Sequence, residues 1–258
     1  MHSKHSQESG TMPHDLKAIV TGHSRGLGAA LAEELLARGI PVFGLARQQN
    51  ALLAERFPSL LNEALCDLGD AAALTVWSES ESFLRFCADA TTLVLINNAG
   101  TLGPVGPAEI QPLEAIAAAV VLNVATPLML SSAVARRHAG ELKILHISSG
   151  AARNAYAGWS IYCATKAALD HHARAVAADG RANLHICSLA PGVIDTDMQV
   201  DVRNTPEARF PMRQKFEKLK QEGHLTPPGD AAKQIVGYLL SPAFGQVTTA
   251  DIRDLAKL

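Results

Sequence analysis

Leu16-Lys17-Ala18-Ile19-Val20-Thr21-Gly22-His23-Ser24-Arg25-Gly26-Leu27-Gly28 is the stretch whose reading decides the fold. Its first five residues form a short apolar run of β type. Glycines then mark a turn, after which Leu27, Leu31 and Leu35 fall on one helical stripe that stops at Gly39. Glycine lets the backbone come close to a phosphate. The helix start beyond it offers unpaired N–H groups and a partial positive charge. A glycine-rich turn alone is weak evidence; the strand before it and the helix after it supply the context for dinucleotide binding.

The chain downstream repeats the strand-helix rhythm. Residues 41–47 read as a second strand ending at Ala46 and Arg47. Folds that bind dinucleotides read the adenosine ribose there, and an NAD-selective site usually offers a carboxylate. None stands beside Arg47. Arg25, in the turn, is expected to converge with Arg47, and two guanidinium forks suit a 2′-phosphate. The cofactor expected is therefore NADP(H). A third strand over residues 61–68 ends at Asp67, placed to reach an adenine amino group. A mostly helical stretch follows over residues 71–88. Residues 93–96 are continuously apolar, as in a strand buried on both faces. They lead into Asn97-Asn98-Ala99-Gly100, small and amide residues suited to close cofactor approach.

The second half continues the pattern. A long Ala-rich helix over residues 112–138 holds Asn123, a mediocre helix former whose place there asks for a reason. A strand over residues 142–147 ends in Ser148-Ser149. Another, over residues 184–189, leads to Ala190-Pro191-Gly192. Residues 195–223 are polar and helix-compatible, with Met198, Phe210, Met212 and Phe216 spread along them, and read as a mobile lid over a substrate pocket. A helix over residues 229–240 and a short strand over residues 247–252 close the chain. Alternating strands and helices without a long linker predict one α/β domain with a parallel sheet.

Tyr162-Cys163-Ala164-Thr165-Lys166 heads a helical run over residues 160–178. Tyrosine and lysine four apart share a helix face. An ammonium beside a phenol is expected to lower the phenol's pKa and make it a proton donor near neutral pH. Of the three tyrosines, only Tyr162 has a lysine four residues on.

Bulk properties exclude other classes. The formal net charge is −2 over 258 residues, so no general attraction to nucleic acid or anionic membrane is implied. The four cysteines form no C-x-x-C pair, which fits free thiols in a reducing cytoplasm. No apolar run reads as membrane-spanning, and residues 1–14 read as a disordered lead before a domain over residues 15–258. His171-His172 lack any metalloprotease spacing and read as surface histidines, so no metal is expected.

Thr21-Gly22-x-x-x-Gly26-x-Gly28, Asn97-Asn98-Ala99-Gly100, Asn123, Ser149, Tyr162-x-x-x-Lys166 and Pro191-Gly192 resemble, in order and spacing, the short-chain dehydrogenases/reductases. The resemblance runs from about Leu16 to the end. It implies a Rossmann-like, doubly wound parallel sheet of seven strands flanked by helices. It also implies a catalytic tetrad of Asn123, Ser149, Tyr162 and Lys166, with Ser149 preferred to Ser148 because it lies thirteen residues before the tyrosine. For the cofactor it implies Gly22, Ser24, Arg25, Gly26, Leu27 and Gly28 at the pyrophosphate. Arg47, Asp67, Asn98, Ala99 and Gly100 follow along the adenosine, then Tyr162, Lys166, Pro191, Gly192, Val193 and Thr196 around the nicotinamide. His23 departs from the alanine common at its position.

Residues 157–163, residues 190–199 and Asp251-Ile252-Arg253-Asp254 look like the branch of sepiapterin reductases and bacterial benzil reductases. That likeness implies an NADPH-dependent reduction of a ketone or α-dicarbonyl. Ser149, Trp159, Tyr162, Met198 and Asp251 would contact the substrate, Asp251 anchoring a pterin; the other reading of Asp251 is that it ends the last strand or pairs with Arg253. Asn123 would fix a water linking Lys166 to solvent. A homodimer or homotetramer is the quaternary expectation, and a non-catalytic NADP(H) sensor of the same fold is the alternative.

Overall fold

The computed structural model describes residues 16–257, so the lead expected over residues 1–14 lies outside them. The chain begins with β1 (Leu16–Thr21), α1 (Gly26–Ala37), β2 (Val42–Ala46), α2 (Ala51–Arg56) and β3 (Leu61–Leu65). Then come α3 (Ala71–Trp77), α4 (Glu81–Ala88), β4 (Thr92–Asn97), α5 (Leu113–Val120) and α6 (Thr126–Arg137). A π-helical turn, Val121–Ala125, joins the last two. After β5 (Glu141–Ile147), α7 (Ser160–Ala178) and β6 (Leu184–Ala190) lie α8 (Asp197–Asn204), α9 (Arg213–Gln221), α10 (Pro228–Leu240) and β7 (Thr249–Asp251).

The strands pair in parallel in the order β3-β2-β1-β4-β5-β6-β7. Side chains alternate between two cores because a strand repeats every two residues. Ala18, Val20, Val94 and Ile96 face α1 and α10, meeting Leu31, Leu35, Ile235 and Val236. Ile19, Leu93 and Leu95 face the other way, onto Phe83, Leu130 and Val134. Burial on both faces is why these strands read as unbroken apolar runs. Each fully buried leucine or isoleucine contributes about 1.5–3 kcal/mol.

The sheet order reverses between β1 and β4, and the carboxyl ends of those strands open the crevice where doubly wound folds bind ligands. The glycine-rich turn follows β1 and Asn98-Ala99-Gly100 follows β4.

Several local expectations need correction. The stretch over residues 71–88 is two helices: the first ends at Trp77 with Ser78 as its C-cap, and Ser80 caps the second, accepting from the Phe83 N–H at 3.3 Å. The unforeseen α2 is capped by Asn50, whose side chain accepts from the Leu53 N–H at 3.2 Å. The third strand ends at Leu65 and the last spans only Thr249–Asp251. By length and composition Leu113–Arg137 is apolar enough to cross a membrane, against expectation. Its π turn and the buried polar groups Asn123, Thr126 and Ser131 are directed into this protein instead.

Candidate active site

At the nucleotide end, close packing explains the turn's composition. A side chain on Gly28 would lie 2.1 Å from the Gly22 carbonyl oxygen. The Thr21 hydroxyl accepts from the Asn98 and Ala99 N–H groups at 2.9 and 3.0 Å, and the Asn98 amide donates to the Thr21 carbonyl at 2.9 Å. Asn98 thus clamps the two loops that form the crevice walls. Leu27 is buried beneath the turn, leaving Ser24 and Arg25 toward its outer side. Thr196, at the start of α8, stands opposite Gly26, within 3.6 Å of where a side chain there would begin.

Arg25, expected to converge with Arg47 on a 2′-phosphate, is turned to a carboxylate in this structure. Arg25 donates to Asp197 at 3.2 Å across the crevice mouth, both side chains 74% exposed. Arg47 is exposed and makes no hydrogen bond or ion pair among the described residues. Asp67 is exposed, and its Oδ1 accepts from the Gly69 N–H at 2.9 Å.

At the other end, the carboxyl end of β5 and the first turns of α7 bring the polar groups together. The Ser149 hydroxyl lies beside the Tyr162 phenol, close enough to act on its pKa, and accepts from the Ala151 N–H at 3.1 Å. Ser148 points elsewhere, donating to Asp170 at 2.8 Å, so the geometry separates the two serines. Lys166 is buried, donates to the Ile147 carbonyl at 2.7 Å and lies 5.7 Å from the Tyr162 ring centre. Burial pulls its ammonium down to about 8, while Asp170 one turn on works the other way. Burial pushes Tyr162 up to about 12, and the neighbouring Ser149 hydroxyl offsets only part of that. The expectation that Lys166 lowers the phenol is therefore corrected: the ammonium is turned to a carbonyl, and burial raises the phenol.

Asn123 lies within the π turn, fully buried. Its Oδ1 accepts from the Thr101 N–H at 2.8 Å; its amide donates to the Thr101 carbonyl at 2.8 Å and to the Thr165 hydroxyl at 3.2 Å. A side chain on Gly100 would lie 3.2 Å from Asn123 Oδ1 and 3.6 Å from Lys166 Nζ, so both converge on that glycine. Pro191, Gly192 and Val193 follow β6. Gly192 takes a left-handed conformation, φ +80°, beside Ile252.

The segment expected as a mobile lid is docked in this structure. Trp159 is buried, stacked on Phe210 at 4.4 Å and edge-on to Tyr162 at 5.5 Å. Phe216, Val202, Leu102 and, partly buried, Met198 and Val193 complete this apolar cluster. Trp159 is therefore a wall behind the phenol rather than an exposed substrate contact. Asp251 is not free either: Arg253 donates to its two oxygens at 2.7 and 2.6 Å and holds the carboxyl below its ordinary range.

Sequence reasoning missed a buried network. Asp170 accepts from Ser148, from Ser188 at 2.7 Å and from Arg153 at 2.9 Å, while Arg153 also donates to the Ala250 carbonyl at 3.2 Å. Only the one-turn spacing of Lys166 and Asp170 signalled it. His172, read as a surface residue, is half-buried, its Nδ1 3.0 Å from Nε2 of the wholly buried His146. Burial holds His146 neutral, down to about 3, helped by His172 and Lys166.

A crevice at the switch point, a hydroxyl pair and a buried lysine are the arrangement of a dinucleotide-dependent oxidoreductase. A profile of the short chain dehydrogenase family matches residues 17–207, and the chain belongs to that family. It is 36% identical over 239 residues to a benzil reductase ((S)-benzoin forming) of Bacillus cereus, covering 88% of this chain and 95% of that one. It is 33% identical over 261 residues to a sepiapterin reductase of Meriones unguiculatus, covering 92% and 95%. A crystal structure of a short-chain dehydrogenase/reductase from Burkholderia vietnamiensis is 45% identical, with a TM-score of 0.69 and coverage of 95% and 100%. A short chain dehydrogenase from Burkholderia cenocepacia, solved in complex with NADP, is 26% identical with a TM-score of 0.73, covering 92% and 96%.

Proposed function

We propose that this chain is an NADPH-dependent carbonyl reductase whose preferred substrates are aromatic ketones and α-dicarbonyls. The observation that carries the reading is the Ser149 hydroxyl beside the Tyr162 phenol, with buried Lys166 one turn away. The crevice residues fit the cofactor: tight glycine packing at Gly28, a bare backbone at Gly100 and an unengaged Arg47 for a 2′-phosphate. Bound NADPH supplies the hydride. Ser149 and Tyr162 both direct hydroxyls at the carbonyl oxygen and stabilise the alkoxide as it forms. Tyr162 then gives up its proton. Its raised pKa keeps it protonated before reaction, and Lys166 supports the phenolate afterwards. Asn123 fixes the Thr101 loop and Thr165 around that lysine.

The benzil-like side of the substrate range is favoured by two features. The wall behind Tyr162 is aromatic and apolar, suited to a flat apolar ring. Asp251, the expected pterin anchor, already accepts a two-pronged contact from Arg253. Leu113, 81% exposed, and Val120, 42% exposed, lie on α5 and support pairing of copies as a homodimer or homotetramer. The free cysteines suit a cytoplasmic setting. The test is NADPH oxidation against a carbonyl panel containing benzil and sepiapterin. Benzil should turn over and sepiapterin should lag. NADPH binding without turnover of any carbonyl would favour a sensor instead.

A further inference from the structure

His23 sits in the glycine-rich turn, yet its side chain is 1% exposed. Its Nε2 lies 2.6 Å from Glu63 Oε1, and the Glu63 side chain is 7% exposed. A carboxylate oxygen only accepts, so Nε2 carries the hydrogen. Nδ1 has no partner among the described residues. The ring lies on β2 where a side chain would block it: a Cβ on Gly44 would be 2.5 Å from the imidazole. Gly44 is paired with Glu63 across β2 and β3.

The same Glu63 oxygen accepts from the Asn50 N–H at 2.7 Å, and the Asn50 amide reaches back to the His23 and Ser24 carbonyls at 3.4 Å. Asn50 belongs to the loop that carries Arg47. The fold therefore brings a carboxylate, forty residues from His23 in sequence, under the loop where the adenosine ribose is read.

We propose that His23 is a positioning residue that sets cofactor preference by sequestering Glu63. Uncovered, that carboxylate would oppose a 2′-phosphate and accept from ribose hydroxyls instead. Held between an imidazole N–H and a backbone N–H, it does neither, and it ties the Arg47 loop to the turn. This inference rests on the NADPH reading above.

The test is a titration of the full chain with NADPH and NADH, with melting temperatures alongside. His23→Leu keeps the volume over Gly44 and removes the donor. It should weaken NADPH about tenfold, the scale of one charge uncovered near a phosphate in a partly solvated site, and leave NADH unchanged or tighter. His23→Gln, which keeps a donor, should retain the NADPH preference. His23→Leu with Glu63→Gln should recover it, because the opposing charge is gone. Equal loss of both cofactors, or no recovery in the double variant, would overturn the proposal in favour of a packing role. Glu63→Gln alone gives a reading independent of the leucine variant's survival. It keeps an acceptor for His23 and should change either affinity by less than about threefold, since the carboxylate is held away from the ribose site. A tenfold gain in NADPH affinity there would show that Glu63 is not sequestered. A wild type that prefers NADH overturns the NADPH reading and this proposal together; an NADPH preference that survives His23→Leu overturns only the proposal.

Discussion

The two ends of the crevice are built on opposite plans. Around Tyr162 the polar groups are buried, and most are engaged more than once. Asp170 takes three donors, Asn123 makes three contacts, and Lys166 is fixed on a carbonyl. Around Arg47 the charges are exposed, and the order lies beneath them, in His23, Glu63 and Asn50. On the function proposed above, the difference follows from what each end would handle. Proton transfer needs fixed distances and a dry surrounding, so rigidity is built into the reacting groups themselves. A phosphate is recognised by charge over a longer range, so its ligands stay solvated and only their supports are fixed.

Tyr162→Phe attacks the buried end directly and should have the largest effect. Turnover should fall by roughly two orders of magnitude or more while NADPH affinity, read by titration, holds. Near-normal turnover would end the assignment of that end to proton transfer. Arg47→Ala probes the exposed end. It should cost NADPH about 1.5–3 kcal/mol of binding and spare NADH, because a single charge-assisted contact is lost. Equal losses would remove Arg47 from phosphate recognition.

Asp170→Asn sharpens the contrast by titration. Lys166 loses its charge as pH rises through about 8, and Asp170 favours the charged form. Without that carboxylate the alkaline limb of kcat/KM should move to lower pH, with a loss of about tenfold or less at neutrality. A lowered but unshifted profile would make Asp170 a structural tie only. The smallest effect is expected from Arg253→Ala, since that guanidinium is 72% exposed. Benzil reduction should change by less than about threefold, in line with the weak energetics of surface pairs. Sepiapterin reduction should rise as Asp251 is freed, and a sharp loss of benzil turnover would place Arg253 in the diketone site.

The sequence made the buried end legible because its key relations are local or stereotyped. Tyr162 and Lys166 are one helical turn apart, and Ser149 precedes them at fixed spacing. The parallel α/β sheet, too, was readable from the alternation of strands and helices. What could not be read depends on the sheet bringing distant residues side by side. Glu63 meets His23 only through the pairing of β2 with β3, so the absence of an acid beside Arg47 in sequence was not an absence in space. Arg25 meets Asp197 only because α8 folds back over the crevice. Asp251 was readable either as a substrate anchor or as a partner of Arg253, two residues on, and the second contact is the one this structure forms. The pKa of Tyr162 depends on burial, which motif spacing does not report.

Trp159 and Trp77 are the only two tryptophans of the chain. Trp77 lies among Phe43 and Phe83 in the other core, far from the docked segment. Trp159 is pressed against Phe210, with an interplanar angle of 12°. Any excursion that carries Phe210 outward must unstack that indole and hydrate it, shifting its emission to longer wavelength over a steady background from Trp77. The molecule thus carries its own optical gauge of segment opening, readable in a stopped-flow instrument without a label.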